Sequence, residues 1–212
     1  MRCLLSPLPR APFAALTAQT AGFIMTAMPQ PQPVVSSGPL ITEQYRELQR
    51  KLHENPDYGM ASVAYAPLVA DLIRRVGATE LLDYGAGKGR LAQTLREHIK
   101  TPLKVHHYEP AEPRWSAPPE PCDVVACIDV LEHIEPDLLD NVLDDLRRVT
   151  RRYGLFTAHT EAAMKVLPDG RNAHLIQQPT HWWLPKITGR FELVIFTREQ
   201  GGFWVLVESK LP

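Results

Sequence analysis

Three glycines at alternate positions, Gly85, Gly87 and Gly89, follow the apolar segment 81–84 and precede a helical pattern that begins at Arg90. Glycine lets the backbone pass close to a ligand with no intervening side chain, and the start of a helix presents unpaired N–H groups to an anionic group. The loop therefore predicts a binding site for a nucleotide-like cofactor, with a tight strand-to-helix turn as the alternative. The residues that we assign to the cofactor here are Asp83, Gly85, Ala86 and Gly87.

The spacing of these glycines discriminates between cofactors. A Walker A loop requires GxxxxGK followed by Ser or Thr, whereas Lys88 is followed by Gly89, which excludes ATP binding by that motif. The dinucleotide fingerprint GxGxxG, counted from Gly85, requires its third glycine at the position that Arg90 occupies. An NAD(P)-dependent oxidoreductase is thereby disfavoured and remains an alternative.

Two further segments extend the pattern. A second strand is expected to end at Tyr108-Glu109-Pro110, with Glu109 20 positions after Gly89, and a later strand runs into CIDVLEHI at residues 127–134. Together with the GxGxG loop, these segments resemble the class I S-adenosylmethionine-dependent methyltransferases, of the small-molecule type related to ubiquinone and menaquinone methyltransferases. The resemblance covers residues 81–134 and implies S-adenosylmethionine as the cofactor.

The resemblance also implies roles for individual residues. Glu109 would hold the two ribose hydroxyls, because a carboxylate at the C-terminal end of a strand can accept both hydroxyl hydrogens. The backbone of Ile128 and Asp129 would lie beside the methionine part of the cofactor. Asp129 and Glu132 have a second interpretation as caps of the following helix, since acidic residues favour a helix N-terminus.

The sequence departs from this family between Glu109 and Asp123, which are only 14 positions apart. Family members place a helix, a third strand and another helix in this interval, and the segment cannot contain all three. We therefore expect the third, edge strand to be lost or vestigial and the proline-rich loop to fold across the adenine. Trp115 would then either stack on the adenine or cover the exposed edge of the sheet.

Residues that contact the methyl acceptor are expected after the strand that ends near Ala158, because ligands meet the C-terminal ends of the strands in such sheets. The segment 167–174 concentrates Asp, Arg, Asn and His. A general base is required only if the acceptor must lose a proton. We assign the catalytic or acceptor-binding roles to His174, Arg171 and His159; a plain turn into the following Trp-rich helix is the alternative.

The histidines and cysteines form no metal-binding pattern in the sequence. His106 and His107 are neighbours on a strand and point to opposite sides, Cys122 and Cys127 are not aligned with them, and a CxxC pair is absent. We therefore predict no metal site.

The elements that position these residues alternate along the chain. The sequence pattern predicts the following order of elements: helix, strand, helix, strand, strand, helix, strand, helix, and a hairpin around Gly201-Gly202. This order predicts an α/β fold, a three-layer Rossmann-like sandwich with a mostly parallel sheet and a C-terminal antiparallel hairpin. The continuous apolar segment 123–129 suits a parallel strand that is covered on both faces.

The N-terminal segment 1–38 differs in composition from the rest. It is rich in proline and contains no Asp or Glu, and such a chain cannot offset the entropy of ordering itself. We expect a disordered tail, or a start codon placed too early, followed by a methyltransferase domain over residues 39–212.

Charge and cysteine content limit the partners. Lys and Arg number 23 against 24 Asp and Glu, giving a net charge of -1, so we expect binding neither to nucleic acid nor to membranes. Three cysteines are too few for a disulfide scaffold and favour a cytoplasmic protein.

We expect a monomer or homodimer that acts on a small-molecule or glycan acceptor. A non-catalytic S-adenosylmethionine-binding protein is the remaining alternative, because the adenine side is shortened.

Overall fold

The protein folds around one mixed sheet whose strands alternate with helices along the chain. The structure is a computed structural model that describes residues 38–55 and 59–210, and all of these residues belong to one compact unit. The elements are, in chain order, α1 (Glu43–His53), α2 (Ala61–Val76), β1 (Glu80–Tyr84), α3 (Arg90–His98), β2 (Lys104–Tyr108), β3 (Cys122–Cys127), α4 (Leu139–Val149), β4 (Thr150–His159), α5 (Thr180–Thr188), β5 (Phe191–Glu199) and β6 (Gly202–Ser209).

The sheet has the strand order β2-β1-β3-β4-β6-β5. The pairs β1–β2, β1–β3 and β3–β4 are parallel, whereas β6 runs antiparallel to both β4 and β5. The predicted mostly parallel sheet with a C-terminal hairpin is therefore confirmed. Between β2 and β3 the chain forms only a short 3₁₀ helix, Pro113–Trp115, so β2 is an edge strand and the expected loss of the third strand is confirmed.

Helices cover both faces of the sheet. The connection through α3 leads from β1 toward β2, and the connection through α4 leads from β3 in the opposite direction toward β4. Because such crossovers are right-handed, the two helices lie on opposite faces. Helix α2 packs on α3, and α5 contacts α4. The three-layer Rossmann-like sandwich that the sequence predicts is therefore present.

The core lies on both faces of the central strands. On the α4 face, Leu82 and Val125 pack with the buried stripe of α4 and with Trp183 of α5. Their neighbours Leu81 and Val124 point to the opposite face and are also fully buried. Strands that are buried on both faces require the continuous apolar sequence seen here.

Local sequence signals explain the ends of the first two helices. The Thr42 hydroxyl oxygen accepts a hydrogen bond from the Tyr45 N–H at 3.2 Å and caps α1. Gly77 ends α2 in the left-handed conformation, with φ 67°, which glycine adopts without steric cost.

The topology creates a crevice where the chain changes direction. The chain leaves β1 toward one edge of the sheet and leaves β3 toward the other, and these two strands are neighbours. Ligands of open α/β sheets bind at this switch point, beyond the carboxyl ends of the strands. The glycine loop after β1 and the segment after β3 both lie there.

Two further observations concern the limits of the chain. The predicted N-terminal tail lies outside the described residues, except for Gly38, and the domain boundary at residues 38–39 stays a prediction. In the part of the chain that the structure describes, no helix combines the length and the apolar character needed to cross a bilayer.

Candidate active site

A cleft opens at the carboxyl ends of β1, β2 and β3. Its empty volume is about 830 Å³ including its open mouth, within the range of pockets that hold small molecules and cofactors. The cleft is lined by the glycine loop, by Glu109, by the residues that follow β3 and by α1. The predicted cofactor residues among its walls are Gly85, Ala86, Gly87, Glu109, Ile128 and Asp129.

The glycine loop is tied to the end of β2 through its backbone. The N–H groups of Gly85 and Ala86 both donate to the Tyr108 carbonyl oxygen, at 2.8 and 2.9 Å. Gly87 has φ 52°, and no atom lies within 4 Å of the place that a Cβ would take. The missing side chain therefore leaves open space in the wall of the cleft, as a close approach to a cofactor requires.

Glu109, to which the resemblance assigns the ribose, is hydrogen-bonded to the glycine loop. Its Oε2 accepts a hydrogen bond from the Gly87 N–H at 3.0 Å, and its Oε1 accepts one from the Ala111 N–H at 3.0 Å. Burial raises the pKa of this carboxyl, and the two amide donors act in the opposite direction. Each oxygen keeps a second lone pair, so the carboxylate can hold the loop and accept hydrogen bonds from a ligand at the same time.

Asp83 lies outside the walls of the cleft. Its Oδ2 is 3.6 Å from Nδ1 of His107, the residue opposite it on β2, and burial raises the pKa of its carboxyl. The role that the sequence analysis gave Asp83 in cofactor binding stays a prediction.

Trp115 covers the outer strand of the sheet. Its ring stacks on the His107 imidazole with centroids 4.4 Å apart, and the Arg114 guanidinium lies 4.1 Å above the indole. A Cβ on Gly89 would come within 2.9 Å of the Trp115 ring, so the indole also packs against the start of α3. The sequence analysis considered two roles for Trp115, stacking on adenine and covering the exposed edge of the sheet. This packing supports the second role.

Asp129 holds a backbone conformation that few residues adopt. With φ 59°, it is the one non-glycine residue with positive φ in the segments 38–55 and 59–210. Its N–H donates to the Thr157 hydroxyl oxygen at 2.8 Å, which fixes the turn after β3. Such conformations cost free energy and cluster at functional sites; here the turn places Asp129 in the wall of the cleft.

Acidic and histidine side chains converge beyond Asp129. Its Oδ1 lies 3.9 Å from His133 Nε2 and 3.7 Å from His159 Nε2. The fully buried Glu132 accepts the His159 N–H at 2.9 Å through Oε1. Burial and the nearby Asp129 carboxylate raise the pKa of Glu132 well above its usual range, whereas burial lowers the pKa of His133 to about 4 and keeps its imidazole neutral.

His174 joins this group from the loop after β4. Its Nδ1 is 2.7 Å from the Glu161 carbonyl oxygen, and its ring lies 4.9 Å from the His133 ring and 5.3 Å from the His159 ring. The structure thus brings together two of the three catalytic candidates, His159 and His174. It adds His133, which stood in the quoted motif without a role.

Arg171, the third catalytic candidate, lies elsewhere. Its guanidinium pairs with the Asp169 carboxylate at 2.7 Å and lies 5.7 Å above the ring of Tyr45 in α1. The structure therefore places Arg171 against the N-terminal helix, and its catalytic role stays a prediction.

Helix α1 forms one wall of the cleft, a role that the sequence analysis did not assign. The Tyr45 hydroxyl donates to the His133 carbonyl oxygen, and Gln49 Nε2 donates to the Tyr45 oxygen. Tyr45, Gln49 and His53 all line the cleft. Their spacing of four residues places them on one face of the helix, and this polar stripe is a signal that could have indicated the role.

Comparison with known proteins identifies the family. A model described as a methyltransferase domain matches residues 42–199, from the cap of α1 to the end of β5. A search of curated protein sequences finds no significant match.

Several solved structures share the fold. The 1,6-didemethyltoxoflavin-N1-methyltransferase of Burkholderia thailandensis is 18% identical, with a TM-score of 0.58 over 82% of this chain and 93% of that chain. The N-methyltransferase NodS of Bradyrhizobium japonicum WM9 is 13% identical, with a TM-score of 0.52 over 80% of this chain and 100% of that chain. Both were crystallised with S-adenosylhomocysteine.

A third similar structure, the small RNA methyltransferase HEN1, is 10% identical, with a TM-score of 0.54 over 70% of this chain and 25% of that longer chain. These low identities establish a common fold and do not transfer an acceptor. The subtype related to ubiquinone methyltransferases stays a prediction. The family match confirms the resemblance seen in the sequence: the chain belongs to the methyltransferase-domain family and is a class I S-adenosylmethionine-dependent methyltransferase.

Proposed function

We propose that this methyltransferase binds the ribose of S-adenosylmethionine on Glu109 and transfers the methyl group to a small-molecule or glycan acceptor beside Asp129. The observation that carries the assignment is the Glu109 carboxylate. It is buried at the end of β2, holds the Gly87 N–H, and lines the same cleft as the open side of the glycine loop.

The roles proposed for Glu109, Ile128 and Asp129 imply one orientation of the cofactor in the cleft. With the ribose at Glu109, the glycine loop and the residues Ile128 and Asp129 would hold the methionine part. The methyl group would then be presented on the side of the cleft where His133 and His159 approach the Asp129 carboxylate. The acceptor would enter from this side.

Methyl transfer mainly requires that the protein position the acceptor atom and the methyl group. The bond between sulfur and the methyl carbon breaks as the bond between that carbon and the acceptor atom forms, and the electron pair left on sulfur cancels its positive charge. The protein accelerates such an in-line displacement by holding both partners at near-attack distance. Rigid strand ends and a turn fixed by Thr157 are suited to this task.

A hydroxyl acceptor must also lose a proton. His159 is the candidate general base with the most accessible side chain in this group, at 42% exposure, and its Nε2 lies 3.7 Å from the Asp129 carboxylate. A carboxylate beside a histidine stabilises the imidazolium that forms when it takes a proton. His174, almost buried beside it, would orient the ring.

Calorimetric titration of the full chain with four ligands tests the cofactor assignment. S-adenosylmethionine and S-adenosylhomocysteine should bind, whereas NADH and NADPH should give no heat. Binding of a dinucleotide without binding of S-adenosylmethionine would instead support the oxidoreductase alternative.

Turnover tests the acceptor class. S-adenosylhomocysteine release is measured with a phenol, an amine, a carboxylate, an oligosaccharide and a short RNA. We expect turnover with one of the first four. Turnover on RNA alone would overturn the acceptor class, and tight cofactor binding without turnover on any acceptor would support the non-catalytic alternative.

We further propose that the protein acts in the cytoplasm as a monomer or homodimer, without binding nucleic acid or membranes. Cys122 and Cys127 are buried and unpaired, as is usual in reducing compartments, and the net charge of -1 offers no general attraction to phosphate. Cell fractionation and light scattering of the purified chain test these points.

A further inference from the structure

Four side chains on the acceptor side of the cleft, which we name the acid–histidine cluster, are Asp129, Glu132, His133 and His174. Each offers one ligand atom, and these four atoms lie within 4.8 Å of one another. Two imidazoles and two carboxylates form a donor set that suits divalent first-row transition metals. Ligands around one ion at about 2.0–2.2 Å lie about 3.3–3.6 Å apart in a tetrahedron and at most about 4.4 Å apart when trans, so the four side chains would move inward when they bind the ion.

Glu132 provides an independent indication of a cation. Its side chain is fully buried, and its Oε1 accepts the His159 N–H. Among the described residues, its Oε2 has no hydrogen-bond partner, and the nearby group is the Asp129 carboxylate. Two buried carboxylates that face each other are costly unless a proton or a cation lies between them.

The two histidines are oriented as metal ligands usually are. His133 Nδ1 lies 2.8 Å from the Ala173 carbonyl oxygen, and His174 Nδ1 lies 2.7 Å from the Glu161 carbonyl oxygen. A carbonyl oxygen can only accept, so each Nδ1 carries the hydrogen, and the lone pair of the neutral ring is on Nε2. A backbone carbonyl that fixes the ring through Nδ1 is the common support of a ligating histidine.

We propose that the acid–histidine cluster binds one divalent first-row transition-metal ion beside the cofactor cleft. Zn²⁺, Mn²⁺ and Co²⁺ are the ions of this class that we would test. Asp129 and His133 belong to both the cluster and the cleft wall. The ion therefore adjoins the place that the proposed function gives to the acceptor, and a hydroxyl bound to it would release its proton more readily.

This proposal differs from the expectation of no metal site that the sequence supported. His174 follows His133 by 41 positions, and only the fold brings them together. The metal site rests on the cluster itself. Only its role toward the acceptor depends on the proposed function.

Metal binding is measured on the untagged full chain without any cofactor. The protein is stripped with a chelator and titrated with Mn²⁺, Zn²⁺ and Co²⁺, and with Mg²⁺ as a comparison ion that prefers oxygen ligands and keeps its waters. We expect one bound ion per chain for the transition metals, a visible absorption band for bound Co²⁺, and a higher melting temperature than in the chelator.

Three variants identify the ligands. Glu132→Gln and His174→Ala should weaken binding of the transition metals by more than about 10-fold, because even residues that only support a metal ligand contribute about that much. His107→Ala is the matched control, because His107 also faces a buried carboxylate, that of Asp83, but belongs to no potential metal-binding group among the residues that the structure describes. It should leave metal affinity unchanged.

The outcomes separate this proposal from the cofactor assignment. No bound ion in the wild-type chain, or equal affinity in the Glu132→Gln, His174→Ala and wild-type proteins, would overturn the metal site. Circular dichroism identifies a variant that fails to fold. In that case, the titration of the wild-type protein alone shows whether a metal ion binds. S-adenosylmethionine affinity, measured separately, should be the same with and without the metal, so failure of either assignment is visible alone.

Discussion

The two ends of the cleft are built by different means. At the ribose end, the Glu109 carboxylate meets two backbone N–H groups, and glycine leaves open space. At the acceptor end, side chains from two distant segments crowd together. There, a buried glutamate oxygen lacks a hydrogen-bond partner among the described residues, and Asp129 adopts a left-handed backbone.

The difference follows from what each end must recognise. In the proposed binding mode, main-chain geometry and one carboxylate hold the cofactor, and these contacts position a ligand without changing during the reaction. The proposed acceptor end concentrates groups that can exchange protons or ligate an ion, and it includes the left-handed backbone conformation of Asp129. Substitutions should therefore separate the two ends: changes at one should spare the measurement that reports on the other.

The largest effect is expected at Gly87. In Gly87→Val the new side chain would fill the open space beside the cofactor, so S-adenosylmethionine affinity should fall by about 100-fold or more while the fold survives. Calorimetry measures the affinity. Gly77→Val is the matched control, because Gly77 has a similar φ, 67°, and open space around it, but lies outside the cleft.

Both glycine variants should lose about 1–2 kcal/mol of stability, the usual cost of a side chain in the left-handed region. Only Gly87→Val should lose the cofactor. Equal affinities in the two variants would mean that the cofactor does not pass over Gly87.

At the opposite end, His174→Ala should lower turnover by about 100-fold, the lower range for loss of a group that assists proton transfer. S-adenosylmethionine affinity should stay the same, because His174 lies outside the walls of the cleft. Arg171→Ala gives the comparison. Its guanidinium contacts Asp169 and Tyr45, so its turnover should fall much less.

Full turnover of His174→Ala with a lowered melting temperature would show that the histidine only supports the loop. A larger loss in Arg171→Ala than in His174→Ala would restore the role that the sequence analysis gave to the arginine. Steady-state kinetics and thermal denaturation of both proteins decide between these outcomes.

Glu109→Ala should weaken S-adenosylmethionine binding by about 1.5–3 kcal/mol, the contribution of a hydrogen bond to a charged group. The loss has two sources, because the carboxylate also holds the Gly87 N–H. Glu112→Ala, which removes a nearby half-buried carboxylate that pairs with Arg114, is the control for the loss of one negative charge. Unchanged affinity of Glu109→Ala for S-adenosylmethionine would show that the ribose binds elsewhere in the cleft.

The smallest effect is expected at the contact between α1 and the acceptor end. Tyr45→Phe removes the hydroxyl that donates to the His133 carbonyl oxygen, and should lower the free energy of unfolding by about 1 kcal/mol. Chemical denaturation measures this change. A large loss of turnover without loss of stability would show that α1 positions His133 for catalysis.

What the sequence could predict follows from the distance between cooperating residues. The glycine loop, Glu109 at its strand end and the missing third strand are each encoded within a short segment, and all three are found as expected. His133 and Glu132 were visible in the motif, but their convergence with His174 depends on the course of β4 and the loop after it. The position of Arg171 beside Tyr45 likewise depends on how α1 returns to the cleft.

The loss of the third strand has a consequence for how these molecules behave in a crowded solution. Within segments 38–55 and 59–210 it leaves one side of β2 without a paired strand, and a free strand side is a template for pairing with another chain. This strand is five residues long, begins after Pro102 and ends before Pro110. The segment 109–115 folds back on itself, with the Glu109 N–H donating to the Trp115 carbonyl oxygen. The short strand, the flanking prolines and the indole that stacks on His107 each oppose pairing of β2 with a second chain.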